Sequence, residues 1–226
     1  MTTKLTLKGQ DGTEINGELA EPAGTGKAPA LVLIQEYWGI NDHIRSLADR
    51  LAQEGFLVIA PDLYHGKLAK DPAEAGALMT ALDTFAAVKE IGATAEFLKG
   101  HARGNGKVGV IGFCMGGALA LASACHLDGL SAVVPFYGLP PEDKVDYAKV
   151  SAPILMHVAK RDAWVTVEKA EAVKKKLEAA GKSITLEIYE ADHAFVNDTR
   201  PEVYDEKNAK LAWSRSVEFL KKNLVV

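Results

Sequence analysis

Cys114 stands in the run Gly112-Phe113-Cys114-Met115-Gly116-Gly117, between an apolar β-branched stretch (Val108, Val110, Ile111) and an alanine-rich one, Ala118 to Ala124. Strand, tight turn and helix follow one another there, with the pattern G-x-C-x-G at the turn. A residue at the apex of such an elbow is forced into a strained backbone conformation. A side chain two positions to either side would collide with the neighbouring strand and helix, which is why glycines stand there. The apex side chain is held up at the end of a sheet, and the amides after it open a helix N-terminus, where negative charge is favoured. A thiol so placed is expected to ionise more easily than a free cysteine. The chemistry it suits is nucleophilic attack on an acyl carbon. Other glycine-rich turns are excluded: Cys114 occupies the second glycine position of G-x-G-x-x-G, and G-x-x-x-x-G-K-[ST] is absent. Cys125, deep in the following helix, reads as an inert, small hydrophobe.

Acyl transfer also needs a base and an acid to orient it. His193 follows the last predicted strand and Asp162 the strand before it, so the chain order is Cys114, Asp162, His193. Nucleophile, acid, base is the order of α/β-hydrolases. Asp192 is a rival orienter, but consecutive residues rarely point at each other, and Asp162 is preferred on geometry. The other histidines fall on a helix (His43), in loops (His65, His101), at a helix end (His126) and within a strand (His157), as structural or exposed groups. No H-E-x-x-H or comparable cluster suggests a metal.

The elements that must position these groups can be read in order. Residues 4–8 and 13–19 alternate apolar and polar residues across Gln10-Asp11-Gly12, predicting an antiparallel hairpin. Residues 30–34 form a continuous apolar run, expected of a strand covered on both faces. Ile44, Leu47, Ala48 and Leu51 give 43–54 a helical stripe closed by Gly55. A strand at 56–60 precedes an irregular stretch at 64–72. Residues 73–99 read as helix in two pieces, with breaks expected near Thr80 and Gly92. After the elbow come strands at 131–136, 153–159 and 184–189, a loop at 139–150, and helices at 166–180 and 208–222. The last helix is expected to bury Trp213, Val217 and Leu220. The alternation predicts one α/β domain over 1–226, a mostly parallel sheet with helices on both faces. Sites in such sheets lie at the carboxyl ends of the strands. Glu36, Cys114, Tyr137, Asp162 and His193 all fall just past a predicted strand end.

Bulk properties narrow the class. The 226 residues carry a net charge of −4, which does not favour nucleic acid. Lys174-Lys175-Lys176, set between Glu171 and Glu178, reads as a solvated helix face. Two cysteines without C-x-x-C spacing exclude a disulfide framework. No apolar leader or stretch long enough for a membrane span is present, so a cytoplasmic protein without membrane partners is expected.

The chain resembles the dienelactone hydrolase (carboxymethylenebutenolidase) family of α/β-hydrolases over residues 5–222. The resemblance is carried by Gln35-Glu36-x-x-Gly39, Pro61-Asp62-Leu63-Tyr64, Gly106-Lys107-Val108-Gly109, the cysteine elbow, Tyr137-Gly138, Asp162 and His193-Ala194-Phe195. It implies hydrolysis of small ester or lactone substrates through a thioester acyl-enzyme, without metal or organic cofactor. It further implies that Glu36 is a regulatory carboxylate that holds or accepts the thiol proton until substrate displaces it. The amides of Tyr37 and Met115 are implied as the oxyanion hole. Trp38, Tyr64, Tyr137, Phe195, Asn197 and Arg200 are the expected substrate-binding side chains. The family's lactonases grip a substrate carboxylate with two arginines. Here Leu68 to Leu82 contains none, and Asn197 stands four residues past His193, with Arg161 and Arg200 nearby. An esterase or thioesterase acting on neutral or aryl esters is therefore the alternative. A non-catalytic binding protein of the same fold is a remote one, since all three triad residues are kept. A monomer is expected.

Overall fold

A computed structural model describes residues 1–9 and 12–225. Its strands are β1 (Thr3–Lys8), β2 (Glu14–Ala20), β3 (Ala28–Ile34), β4 (Leu57–Pro61), β5 (Gly104–Phe113), β6 (Ala132–Phe136), β7 (Ile154–Arg161) and β8 (Ile184–Asp192). They form one sheet in the order β1-β2-β4-β3-β5-β6-β7-β8. β1 pairs antiparallel with β2, and β2 with β4; every other pairing is parallel. The expected hairpin is present. Of its expected turn, Gln10 and Asp11 lie outside the described residues, while Gly12 takes a φ of +84°.

Among the described residues, six α-helices cover the two faces: α1 (Asp42–Gln53), α2 (Pro72–Ala81), α3 (Thr84–Gly100), α4 (Met115–His126), α5 (Val167–Ala179) and α6 (Glu206–Leu224). Alternation along the central strands divides the core. Val32, Ile34 and Val110 pack with Ile91 of α3 and Leu119 and Leu121 of α4. Leu31, Leu33 and Ile111 pack with Ile44, Leu47 and Leu51 of α1 and Leu220 of α6. Each such buried side chain contributes on the order of 1.5–3 kcal/mol, so the central strands are rigid supports for what lies beyond their ends. Among the described residues, no helix is long and apolar enough to cross a membrane.

Several boundaries differ from expectation. The break in the long helical stretch falls at Leu82-Asp83, where Asp83 Oδ1 accepts the Ala86 amide at 2.8 Å and restarts the helix. No break occurs at Gly92; α3 runs through it. A Cβ there would lie 2.8 Å from Leu127 Cδ2, so this glycine makes room for a packed neighbour. α4 starts at Met115, directly after Cys114 and three residues before the alanine run. Trp213 is half-buried, unlike Val217 and Leu220, and lies under the Arg50 guanidinium at 4.2 Å.

His157, fully buried in β7, ties three elements together. Ser216 Oγ spends its proton on the Ala212 carbonyl at 2.8 Å, so it accepts from His157 Nε2 at 2.9 Å. The Tyr189 hydroxyl then donates to Nδ1 at 2.9 Å. In this arrangement the neutral ring has both nitrogens satisfied. Burial, aided by the Arg215 charge, pushes its pKa down to about 3.

Candidate active site

Parallel strands end on one edge of the sheet, and five polar groups stand just past those ends. Glu36 lies two residues beyond β3. Cys114, Tyr137, Asp162 and His193 directly follow β5, β6, β7 and β8. Cys114 has φ +54° and ψ −117°, the strain expected at the elbow apex. Its surroundings hold it there. A Cβ on Gly112 would come within 2.0 Å of the Gly116 carbonyl oxygen, and one on Gly116 within 2.4 Å of the Ile34 oxygen. The Cys114 amide is tied to the Phe136 carbonyl at 3.0 Å.

The backbone amides of Met115 and Tyr37 favour the ionised form of the Cys114 thiol. The expectation of an easily ionised thiol does not hold. Burial first, and the Glu36 carboxylate second, push its pKa up to about 12, against the two amides that stabilise the thiolate. Cys125 is buried on α4, and burial pushes its thiol to about 11.

His193 Nδ1 lies 2.5 Å from Asp162 Oδ2. Asp162 Oδ1 accepts the amides of Trp164 at 2.8 Å and Val165 at 3.0 Å, which fixes the carboxylate in place. Burial works against its ionisation, but the bond to His193, that ring's charge and the two amides outweigh it, leaving its pKa below the usual value. With Nδ1 turned to the carboxylate, His193 Nε2 is buried and lacks a partner among the described residues. Asp192 faces elsewhere and grips Arg161 through both oxygens at 3.1 and 3.0 Å. That pair removes Arg161 from the site.

Glu36 is 2% exposed. Its Oε2 accepts from Asn197 Nδ2 at 2.7 Å, while Oε1 has no partner among the described residues. Burial raises its pKa to about 7, against the Asn197 bond and the charges of His193 and Arg200.

The expected substrate-binding residues divide into two groups. Tyr64, Tyr137, Phe195 and Asn197 are buried. The Tyr64 hydroxyl meets Met115 Sδ at 3.2 Å. The Tyr137 ring lies 5.0 Å from His193 and 5.7 Å from Phe195, and its hydroxyl lacks a partner among the described residues. Trp38 and Arg200, with Asn41, Asn197 and Thr199, line a cavity of about 270 Å³. The Arg200 guanidinium carbon is 6.0 Å from the Trp38 ring centre, and its Nε is engaged by Glu202 at 2.8 Å.

Two features escaped the sequence reading. Trp164, 66% exposed, stands edge-on to His193 at 4.8 Å. An aromatic two residues past Asp162 was a usable signal. The other is the set of bonds that Asn197 makes with Thr199 and Glu36, with Asp198 reaching His43; Asn-x-Thr is a turn signal, but its partners on distant elements are not local in sequence. Among the described residues, no cluster of three or more His, Cys, Asp or Glu side chains could hold a metal ion.

Comparison with known proteins places this geometry among relatives. Residues 15–224 match the model described as "Dienelactone hydrolase family". "Protein usf" of Aquifex pyrophilus is 37% identical over 226 residues, covering 95% of this chain and 96% of that protein. A "Putative carboxymethylenebutenolidase" of Aquifex aeolicus is 34% identical, over 94% of this chain and 95% of its own length. The crystal structure titled "Putative Dienelactone Hydrolase" from Klebsiella pneumoniae superposes with a TM-score of 0.89 at 28% identity, covering 98% of each chain.

Proposed function

The chain belongs to the dienelactone hydrolase family and is a hydrolase of ester and lactone bonds, and from this we propose that it works through a Cys114–His193–Asp162 triad and a thioester intermediate. One observation carries the reading. Cys114 stands strained at the elbow, with the Tyr37 and Met115 amides favouring its thiolate, while His193 holds Nδ1 on Asp162 and has no partner at Nε2 among the described residues.

In the resting enzyme the thiol is protonated, because its pKa of about 12 lies far above neutrality. Glu36, at about 7, is the nearby group able to exchange a proton at working pH. On substrate binding the thiol proton passes, directly or by way of Glu36, to His193 Nε2, and Sγ attacks the carbonyl carbon. The oxygen takes the negative charge, and the Tyr37 and Met115 amides stabilise it. The acyl C–O bond then breaks, and His193 Nε2–H protonates the leaving oxygen, leaving the acyl group on sulfur. In a lactone the leaving alcohol stays tethered to the acyl chain. Water, deprotonated by His193, attacks the thioester; the C–S bond breaks, giving the carboxylic product and restoring the thiol. Asp162 holds the ring in the tautomer these steps need and stabilises the imidazolium.

The substrate favoured is a neutral ester or lactone. Arg161 is paired with Asp192, and Arg200 already engages Glu202. A buried substrate carboxylate without a committed cation would be costly. The aromatic surface at Trp38 and Trp164 suits an apolar acyl or aryl group instead.

Intact-mass spectrometry of the enzyme quenched during turnover of a slow aryl ester tests the mechanism. A mass increase equal to the acyl group, mapped to Cys114 and absent in Cys114→Ala, is expected. An acyl-free enzyme in a fully active reaction, or an adduct on Cys125, would overturn it.

A further inference from the structure

Residues 197–199 reach in three directions. Asn197, 1% exposed, gives its Nδ2–H to Glu36 Oε2 at 2.7 Å. Its Oδ1 accepts twice from Thr199, from Oγ1 at 2.6 Å and from the amide at 3.1 Å. An amide side chain whose oxygen holds two donors cannot flip without losing both, so the nitrogen is the end that meets the carboxylate. Between them Asp198 points back to α1, with Oδ1 3.3 Å from His43 Nδ1 and Oδ2 3.9 Å from Arg50 Nη1. The turn is thereby anchored on the helix.

We propose that Asn197, clamped by Thr199, is the positioning residue for Glu36: it occupies Oε2 and leaves Oε1 alone to exchange a proton with the Cys114 thiol. This rests on the mechanism above. The choice of an uncharged donor matters. A cation at this position would favour the ionised carboxylate strongly and place a fixed negative charge beside the thiol. An amide orients the carboxylate yet leaves it near half-protonation at neutral pH. The other groups acting on Glu36 are His193 and Arg200 beyond β8, and those it acts on in turn are Cys114 at the elbow and the phenols of Tyr37 and Tyr137.

The test is a ¹³C NMR titration of the protein labelled at the glutamate carboxyls, with the Glu36 signal assigned by its absence in Glu36→Gln. The wild-type midpoint is expected near 7. Asn197→Ala removes a bond that favours the ionised form, so its midpoint should rise by about one pH unit. Thr199→Val keeps Asn197 but loses the Oγ1 donor, and should raise it by less. The inflection in the pH profile of Cys114 alkylation by iodoacetamide should move with each midpoint, which a merely structural role would not produce. An unmoved midpoint in both folded variants overturns the proposal; if Asn197→Ala does not fold, an unmoved midpoint in Thr199→Val does so alone. No substrate enters the titration. Failure of acyl-enzyme formation at Cys114 would therefore overturn the mechanism while leaving a shifted midpoint standing.

Discussion

At the scale of single residues, the decisive contrast is between two neighbouring acids. Asp162 is buried against His193, while Asp192, one residue before that histidine, is spent on an exposed arginine. Asp162→Asn should lower kcat on p-nitrophenyl acetate by about 10²–10⁴-fold, because the ring loses its tautomer control and its counter-charge. Asp192→Asn breaks only a surface pair and should leave kcat within about twofold. Reversed results would make Asp192 the orienter. Residue type and chain order were sufficient to nominate Cys114, Asp162 and His193 from sequence, because a strand-end position tells where a side chain will stand. The protonation state of the thiol was legible only in part, through the role the family resemblance implied for Glu36. The helix N-terminus favours a thiolate, but burial and Glu36 outweigh it, and both are properties of the assembled site. For the same reason the bond from Asn197 to Glu36 was not legible.

At the scale of elements, the elbow is held by backbone contacts as close as atoms allow. In Gly116→Ala the new methyl would face the Ile34 carbonyl oxygen at 2.4 Å, a fixed backbone atom with no rotamer to yield. The variant should lose about 2 kcal/mol or more in urea unfolding, as overpacking does elsewhere. Gly26→Ala meets nothing within 4 Å and should change stability by less than about 0.5 kcal/mol. Equal midpoints for the two would mean that the elbow can relax and that its glycines are not sterically required. Periodicity and turn residues located each described strand and α-helix, but the ends were less legible. The Gly92 position illustrates why: a glycine that makes room for Leu127 looks the same in sequence as one that ends a helix.

At the scale of the whole molecule, two buried groups set opposing responses to pH. His157 is pushed down to about 3 in the fold, against about 6.5 when unfolded. Between those values the unfolded chain binds the extra proton, so this histidine's contribution is present above pH 6.5 and lost as pH falls. Glu36 is raised to about 7; the folded chain binds the extra proton, so its burial becomes less unfavourable as pH falls through that value. The two should largely cancel between pH 7 and 5. Glu36→Gln removes one arm, and its unfolding free energy should drop by about 2 kcal/mol from pH 7 to pH 5, with a clearly smaller drop in wild type. Parallel urea midpoints for the two proteins across that range would refute the opposition. The closed state of the thiol has a further consequence, for the lifetime of the enzyme. Peroxide attacks thiolates, and the sulfenic and sulfinic acids that follow destroy a nucleophile. A sulfur that stays protonated at rest presents almost nothing to oxidise. Only a molecule caught in the act of turnover, with its proton removed, is vulnerable, so oxidative loss accrues per reaction performed and not per hour spent idle.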